Sequence, residues 1–395
     1  MAPLAVATRS VVLYSTRSEW RLHKSMQSDQ RQRRVLIFCL SGLGDAIMAS
    51  PSIATLAGEP GRFRLTLLTM FGSVAEYLRE QAFTEDVRFV DFLGGSKARV
   101  FRELWRLRQE RFDVSVLPYP HNRIEYNAVA RFIGARERIG FRYQRQAHLN
   151  LPSLNQTVFG EDPKLHVVEE NLRWAAHLIG EDVHGLADEL WFRSTPESTR
   201  QANEFLSEHG LADASPLVGI HPSCNPMKNQ QNRCWPPTQF ARFMERMSER
   251  QPSMRFVLFE GPLDEKVSSA VHKKPGFVAV ARRLPIGAVA SVFRRCQLFV
   301  GNDSGMLHVA SACKVPCVAV FGPTNPTWVR PWRTPHVIVS RGLPCSPCFS
   351  YSSRPLSCPA GLDYACVRDL PLESVEAAAW QLLHQSHASA INAQP

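Results

Sequence analysis

The stretch Leu298-Phe-Val-Gly-Asn-Asp-Ser-Gly-Met-Leu-His308 indicates the class of fold, because an apolar strand pattern ends in a polar glycine turn that starts a helix. Asp303 or Ser304 is expected to cap this helix, whose first N–H groups and positive dipole end suit an anion such as a diphosphate. A second strand pattern at 315–321 follows and ends in a turn at 322–326. The order of strand, helix and strand predicts a parallel sheet with a ligand site at the carboxyl ends of its strands.

A similar pattern lies near the start of the chain, where an apolar run at 34–40 precedes the turn Ser41-Gly-Leu-Gly-Asp45. This turn is not a dinucleotide fingerprint, because Ile47 takes the place of the third glycine and the Asp45 carboxylate would repel a pyrophosphate. A nicotinamide-dependent oxidoreductase is therefore disfavoured. Asp45 suits a general base at the end of a strand, although capping of the following helix is an equally ordinary role.

The other patterns also alternate between strands and helices, which predicts an α/β fold with doubly wound parallel sheets. In the first half, strands are predicted at 34–40, 64–69, 87–92 and 114–118, with helices at 45–57, 74–81, 96–111 and 166–179. In the second half, strands are predicted at 217–221 and 256–259, with a helix from 238, before the units described above. A polar connection at 193–215 is interpreted as the interdomain linker.

The composition is that of a globular protein large enough for two domains, with 395 residues of which 44% are hydrophobic. No apolar run approaches the roughly 18 residues that a membrane-spanning helix needs, and the N-terminal segment lacks a secretory layout. A cytoplasmic location is therefore expected. Residues 1–33 are basic and without a clear period, which predicts a loose extension, with a transit peptide as the alternative.

The positive charge is concentrated in one segment. The chain has a net charge of +10, and residues 97–148 hold twelve Lys and Arg against five Asp and Glu, a net charge of +7. Within it, Arg99, Arg102 and Arg106 share one face of an amphipathic helix. This face would attract an anionic acceptor or an anionic membrane surface, and a merely solvated face is the alternative. Nucleic acid is not expected, because neither RNP-like aromatic residues nor a zinc-finger helix accompanies the charge.

Five motifs occur in order over roughly residues 34–385, and together they resemble one family. They are Gly42-Leu-Gly-Asp45, Gly219-Ile-His-Pro-Ser223, Trp235-Pro-Pro with Phe240, Gly301-Asn-Asp-Ser-Gly305 with His308, and Phe321-Gly-Pro-Thr-Asn-Pro326. The chain resembles glycosyltransferase family 9, the ADP-heptose heptosyltransferases. The resemblance implies a GT-B fold, in which two Rossmann-like domains face a cleft.

In such an arrangement the chain divides into five parts. These are a basic extension at 1–33, an acceptor-binding domain at 34–200, a nucleotide-sugar-binding domain at 210–343, a cysteine loop at 344–370, and a segment at 371–395 in which a helix packs back on the first domain before a short tail.

The resemblance also implies roles for single residues. Asp45 corresponds to the base of an inverting transfer, and the donor would be held by Ser223, Asp303, Ser304, Gly305 and His308. A lone histidine such as His308 could instead be packed and satisfied in the core. The loop at 225–234 is longer than the family pattern and offers Arg233 at the spacing of the usual lysine, with Lys228 as its rival. Acceptor contacts are assigned to Gly44, Arg102, Arg106, His121 and Arg123.

Four of the ten cysteines, Cys345, Cys348, Cys358 and Cys366, form the pattern C-x2-C-x9-C-x7-C in a Pro-rich loop. Four thiolates in a short loop suit a structural Zn or Fe, and free thiols are the alternative. No catalytic metal is expected, because no Asp-x-Asp pattern lies at the cleft motifs.

We therefore predict a cytoplasmic, inverting, metal-independent glycosyltransferase that moves heptose from ADP-heptose to a hydroxyl group, most simply of the lipopolysaccharide inner core. Its partners would be a nucleotide sugar and an anionic glycan or lipid acceptor; a homo-oligomer and peripheral association with the inner membrane are compatible with the same patterns. A protein or small-molecule acceptor is the first alternative. A non-catalytic binding protein that uses a metal finger is the alternative from another class.

Overall fold

The computed structural model describes residues 31–84, 86–144, 150–225, 227–261, 278–351 and 354–392. Most of the predicted N-terminal extension, part of the basic segment and the end of the C-terminal tail lie outside these residues. Within them, no helix is both long and apolar enough to cross a bilayer.

The first domain is a parallel sheet of six strands in the order β3-β2-β1-β4-β5-β6. Its strands are β1 (Arg33–Cys39), β2 (Phe63–Thr69), β3 (Val87–Phe89), β4 (Val114–Val116), β5 (Glu137–Arg142) and β6 (Thr157–Gly160). Its helices are α1 (Leu43–Met48), α2 (Ser50–Ala57), α3 (Gly72–Glu80), α4 (Lys97–Gln109), α5 (Ile124–Ile133) and α6 (Val167–Ile179). The strands β2 and β3 are added on one side of β1, and β4, β5 and β6 are added on its other side. This change of side is the switch point of a doubly wound fold.

The second domain repeats this plan with the order β12-β11-β10-β7-β8-β9, again all parallel. Its strands are β7 (Leu217–His221), β8 (Arg255–Glu260), β9 (Val278–Arg282), β10 (Leu298–Asn302), β11 (Cys317–Val320) and β12 (His336–Val339). The helices from the connection onward are α7 (Pro196–Glu208), α8 (Pro237–Arg250), α9 (Ile286–Phe293), α10 (Gly305–Ala312), α11 (Pro326–Val329), α12 (Ala365–Arg368) and α13 (Leu372–Asn392). The predicted fold class, two doubly wound parallel sheets, is confirmed.

Both faces of the central strands of each sheet are buried, which explains why these strands read as continuous apolar runs. In β1, Val35 and Ile37 point into one core while Leu36 and Phe38 point into another. In β10, Phe299 joins the core that runs through both domains, and Leu298 joins the core on the opposite face. The shared core places the two domains against each other.

One predicted helix and the predicted linker need correction. The predicted helix at 45–57 is two helices, because Pro51 lies in the first turn of α2, where it has no N–H to continue the ladder of α1. The predicted linker at 193–215 contains α7, which is tied to both domains, since the Ser198 hydroxyl donates to Glu80 at 3.1 Å and α7 packs on α9.

The C-terminal helix α13 is also not where it was predicted. It packs on α8 and on β10, β11 and β12 of the second domain, with Val375 and Leu382 in the core of that domain. Arg246 of α8 binds Glu373 at 2.9 Å and Glu376 at 2.7 Å. The prediction that this helix returns to the first domain is therefore wrong for the part of α13 whose packing is described.

Candidate functional site

The two glycine turns that the sequence singled out meet at the cleft between the domains. A Cβ added to Gly44, in the first turn of α1, would lie 2.6 Å from the His308 ring and 3.2 Å from the Gly305 Cα. Only glycine permits this approach without a shift of the histidine and of α10. Gly44 thus brings the start of α1 against the start of α10, which places the carboxyl ends of β1 and β10 at one site.

Asp45 is partly buried in this contact, and its surroundings suit proton transfer. Burial raises the pKa of Asp45 to about 6, with Asp303 raising it further and Arg233, Arg123 and a hydrogen bond from the Gly42 N–H opposing the shift. A carboxyl with such a pKa is ionised at neutral pH and still basic enough to accept a proton. The bond to Gly42 means that Asp45 also supports the start of α1, so both of its expected roles are compatible with the geometry.

Arg233 lies at the second-domain side of the same cleft. Its Nη1 donates to the Asp303 Oδ2 at 2.9 Å, and both side chains are largely buried. The Nε of Arg233 is buried without a hydrogen-bond partner. Burial lowers the pKa of Arg233, but the neighbouring carboxylate of Asp303 and nearby thiols raise it above its usual value, so the guanidinium stays charged and keeps a donor for an anionic ligand.

The start of α10 differs in detail from its prediction. Ser304 is the N-cap residue of α10, but neither its side chain nor that of Asp303 caps the helix. The hydroxyl of Ser304 lies 3.1 Å from His221 Nδ1, and the hydroxyl of Ser223 lies 3.2 Å from His221 Nε2. The first N–H groups of α10 are thus not capped by side chains and remain available to an anion.

His308 was expected either to hold the donor or to be satisfied in the core. It is buried, and its Nδ1 has no hydrogen-bond partner. Burial lowers the pKa of His308 to about 4, so the ring is neutral at physiological pH. An unpartnered ring nitrogen is not the arrangement of a satisfied core histidine, and it favours the ligand-binding role.

The charged neighbours of Lys228 belong to the first domain, and they are Arg123 and Glu125. Burial lowers the pKa of Lys228, and Arg123 of the first domain contributes to this shift. Arg123 stacks over Tyr126 at 5.6 Å and also acts on Asp45. Arg233 rather than Lys228 is therefore the cation that pairs with Asp303.

His121 has no ring nitrogen left for a ligand. Its Nδ1 donates to the Pro118 carbonyl at 2.7 Å, and its Nε2 accepts from the Ser41 N–H at 2.9 Å. Burial lowers the pKa of His121 to about 4, consistent with the neutral ring that these bonds require. His121 therefore holds the glycine turn before Asp45.

The basic helix α4 presents its arginines to solvent. Leu107 is buried while Arg102 and Arg106 are exposed, as in an amphipathic helix, and Arg106 binds Glu103 at 2.6 Å. The charged neighbours that shift the pKa of Asp45 are Arg233, Asp303 and Arg123, and no arginine of α4 is among them. The structure does not bring Arg102 and Arg106 to the candidate base.

The four clustered cysteines line one cavity of about 10 Å³, the volume of roughly one water-sized group. Burial and the neighbouring thiols Cys345 and Cys358 raise the pKa of Cys348, and the same kinds of neighbour raise that of Cys366. In the part of the chain that is described, no group of three or more His, Cys, Asp or Glu is arranged so that it could hold a metal ion. The thiols thus share a cavity but do not form a coordination shell.

Comparison with known proteins relates this site to a family. The family model for glycosyltransferase family 9 (heptosyltransferase) matches residues 100–357. The chain belongs to glycosyltransferase family 9. The match includes β10, α10, β11 and two of the four clustered cysteines, Cys345 and Cys348.

Curated relatives of this family 9 chain align at low identity. It is 21% identical to lipooligosaccharide heptosyltransferase 2 of Campylobacter jejuni, over 87% of the chain and 96% of the relative. It is 29% identical to lipopolysaccharide heptosyltransferase 1 of Pseudomonas aeruginosa over 44% of the chain and 48% of that relative. A second Campylobacter jejuni heptosyltransferase 2 is 39% identical over 23% of the chain and 27% of the relative. Two of these three alignments therefore span half or less of the relative.

Solved structures support the fold of this family 9 member. A family 9 glycosyltransferase from Veillonella parvula superposes with a TM-score of 0.72 at 22% identity, covering 91% of the chain and all of that protein. The ADP-heptose lps heptosyltransferase II of Escherichia coli gives 0.66 at 17% identity, with coverage of 90% and 99%. TibC, an iron-containing dodecameric glycosyltransferase of Escherichia coli, gives 0.50 at 16% identity, with coverage of 91% and 80%.

Two residues of this family 9 site were not assigned roles from the sequence. His221 connects Ser223 with Ser304, and Asn302 accepts from the Trp235 N–H at 2.9 Å while donating to the Pro222 carbonyl at 2.9 Å. Both lie inside motifs that the sequence singled out. Their positions at the carboxyl ends of neighbouring strands were the available signal.

Proposed function

We propose that this protein transfers heptose from ADP-heptose to a hydroxyl group of an acceptor, most simply in the lipopolysaccharide inner core. The observation that carries the proposal is the meeting of Asp45, with its raised pKa, and Arg233, with its unpartnered Nε, at the start of α10. A base for one substrate and a cationic donor for the other then lie at one cleft. The names of the relatives support the sugar and the acceptor.

In this reaction the acceptor oxygen attacks the anomeric carbon from the side opposite to the diphosphate. A new carbon–oxygen bond forms, the bond to the diphosphate breaks, and its electron pair leaves with ADP. Asp45 takes the proton of the attacking hydroxyl. Arg233 and the N–H groups at the start of α10 stabilise the charge on the departing diphosphate without a catalytic metal.

The donor site would be formed by the second domain. Its members share the edge of the sheet where β7 and β10 end, and they are Ser223, Arg233, Asp303, Ser304, Gly305 and His308. The acceptor would approach from the first domain, past Gly44, Arg123 and Lys228. His121 would contribute by holding the turn of Asp45.

The test is to incubate the full chain with ADP-heptose and several acceptors: a lipopolysaccharide inner-core acceptor, a protein and a small glycoside. ADP release and a mass increase of one heptose on the inner-core acceptor are expected. A mass increase found only on the protein or only on the glycoside would show that the proposed acceptor is wrong and would identify the alternative one. Tight ADP binding with no transfer to any acceptor would favour the non-catalytic alternative.

Helix α4 suggests where a cytoplasmic enzyme of this kind meets the membrane. Phe101 and Trp105 are exposed and stack at 6.1 Å, and exposed arginines flank them. Aromatic side chains beside cationic ones suit the surface of an anionic bilayer. In this proposal Arg102 and Arg106 serve a peripheral attachment that also concentrates a lipid-linked, anionic acceptor. A homo-oligomer would add further such surfaces.

The cysteine loop is proposed to bind a structural zinc or iron ion through Cys345, Cys348, Cys358 and Cys366. The proposal rests on the chemistry of the four thiols that line one small cavity, because thiolates repel one another and gain most from a bound cation. The four side chains would have to close into a coordination shell as the ion binds. The iron content of TibC, which shares the fold, supports this choice. The ion would fix a Pro-rich loop that buries few apolar side chains.

Replacing Cys348 with serine should remove the metal and lower the unfolding temperature. The parent protein should hold about one equivalent of zinc or iron, because four thiolates complete a tetrahedral shell. Elemental analysis and thermal unfolding measure the two effects. Cys296→Ser, at a buried thiol in another part of the second domain, is the matched control and should keep the metal. If the parent protein contains no metal and unfolds at the same temperature as the variant, the proposal is wrong and the four cysteines are free thiols.

A further inference from the structure

Tyr351 belongs to the cysteine loop, yet its ring lies between the two domains. It stacks on Trp328 of the second domain, with ring centroids 5.9 Å apart, and on Tyr143 of the first domain at 6.0 Å. The interplanar angles are 26° and 23°, so the three rings form a continuous stack. Tyr119 of the first domain meets the same ring edge-on at 5.5 Å. One side chain of the loop therefore bridges the domains.

The loop is held in place by the turn that follows β11. The backbone N–H groups of Cys348 and Phe349 both donate to the Pro323 carbonyl, at 2.9 and 2.8 Å. The Ser346 hydroxyl donates to the Gly322 carbonyl at 2.5 Å. Phe349 also packs edge-on against Tyr351 at 5.3 Å. The position of Tyr351 is thus set by the cysteine loop and by a turn at the carboxyl edge of the second sheet.

Tyr351 also lies near the charged groups of the cleft. Burial, Asp45 and Asp303 raise the pKa of Tyr351 well above its usual range, while Arg233 lowers it. The phenol therefore stays protonated at neutral pH and can donate a hydrogen bond.

Tyr143 and Tyr119, the two first-domain tyrosines that contact Tyr351, both donate their hydroxyls to hydrogen bonds within the first domain. Tyr143 donates to the Pro120 carbonyl at 2.6 Å, and Tyr119 donates to Glu161 at 2.5 Å. These bonds fix the two rings on the first domain. They form a rigid surface on which Tyr351 rests.

We infer that Tyr351 is a specificity residue of the acceptor site, delivered to the cleft by the cysteine loop. The inference rests on the proposed function. In it, Trp328 and Tyr143 cover the two faces of the Tyr351 ring, so the ring presents its edge and its hydroxyl to a sugar of the acceptor. The hydroxyl orients the attacking oxygen towards the carboxylate.

The acceptor side is chosen over the donor side because of what surrounds the ring. The groups suited to a diphosphate, Arg233 and the start of α10, lie on the second domain, whereas Tyr143 and Tyr119 belong to the first. Aromatic walls with a few placed polar groups are the usual lining of small-molecule sites. The chemical class that fits is a sugar with a free hydroxyl, held for Asp45 by a hydrogen bond from the Tyr351 hydroxyl.

The test compares Tyr351→Ala, Tyr351→Phe and the control Tyr364→Phe. Tyr364 lies in the same loop, but its hydroxyl bonds the Leu356 carbonyl at 3.2 Å and its ring joins the core of the second domain. Tyr351→Ala should raise the acceptor KM by about tenfold, and Tyr351→Phe by about threefold because it keeps the ring. The ADP dissociation constant and the ADP released from ADP-heptose without acceptor should stay within about twofold of the parent.

Several outcomes would overturn the inference. An unchanged acceptor KM in Tyr351→Ala would remove the residue from the acceptor site, and so would a rise in KM accompanied by an equal loss of ADP affinity. An equal effect in Tyr364→Phe would mean that disturbance of the loop, rather than the loss of this ring, is responsible. A parent protein that binds ADP but transfers to no acceptor would count against the proposed function and thus be told apart from a failure of Tyr351.

Discussion

Replacing Asp45 with asparagine is expected to lower kcat by about 10² or more while ADP binds as tightly as to the parent. The amide cannot take the proton of the attacking hydroxyl, but its oxygen can still accept the hydrogen bond from the Gly42 N–H. Steady-state kinetics and calorimetric titration with ADP measure the two effects. Glu125→Gln, at an exposed carboxylate near the cleft, is the matched control and should retain turnover.

The pH dependence gives a second readout of the same group. Because burial raises the pKa of Asp45 to about 6, the parent should gain activity from pH 5 to 7 with a midpoint near 6, and the variant should lack this step. The folded-state pKa lies above the unfolded value of about 3.9, so the folded state loses stability relative to the unfolded state as the pH rises through this range. The unfolding temperature of the variant, compared with that of the parent, should therefore rise between pH 4 and 7. Near-parental turnover at pH 7.5 would exclude Asp45 as the base.

Replacing Arg233 with methionine is expected to weaken ADP binding by about 10- to 100-fold, because a charge-assisted hydrogen bond to the diphosphate is lost. The affinity for AMP should fall less, since it lacks the β-phosphate, so the ratio of ADP to AMP affinity should shrink. Calorimetric titration with both nucleotides gives the ratio. Lys228→Met removes the other cation of the same loop and should leave ADP affinity nearly unchanged.

A loss of ADP affinity caused by misfolding must be distinguished from one caused by loss of the contact to the diphosphate. Arg233→Met leaves the Asp303 carboxylate buried without its partner, which lowers stability. The double variant with Asp303→Asn removes that unpaired charge and should recover the unfolding temperature without recovering ADP affinity. If the double variant binds ADP like the parent, or if Lys228→Met has the larger effect, the diphosphate is bound elsewhere.

The sequence by itself determined the two sheets and the location of the site in the chain. Apolar runs that end in polar glycine turns, such as those before Asp45 and Asp303, predict parallel strands with functional groups at their carboxyl ends, and both turns lie there. Such patterns are local, because a strand buried on both faces needs a continuous apolar run and a tight turn needs glycine. The resemblance to the family pattern proposed Arg233 as the phosphate-binding cation, with Lys228 as its rival, because Arg233 stands at the spacing of the usual lysine.

Only the tertiary structure decided which of these groups meet and what covers them. The placement of α13 on the second domain, the pairing of Arg233 with Asp303 and the stack of Tyr351 between Trp328 and Tyr143 all join distant parts of the chain. An amphipathic helix presents an apolar stripe that several surfaces could bury, so its pattern does not name its partner. The raised pKa of Asp45 likewise depends on the desolvation that arises only when the two domains close around it.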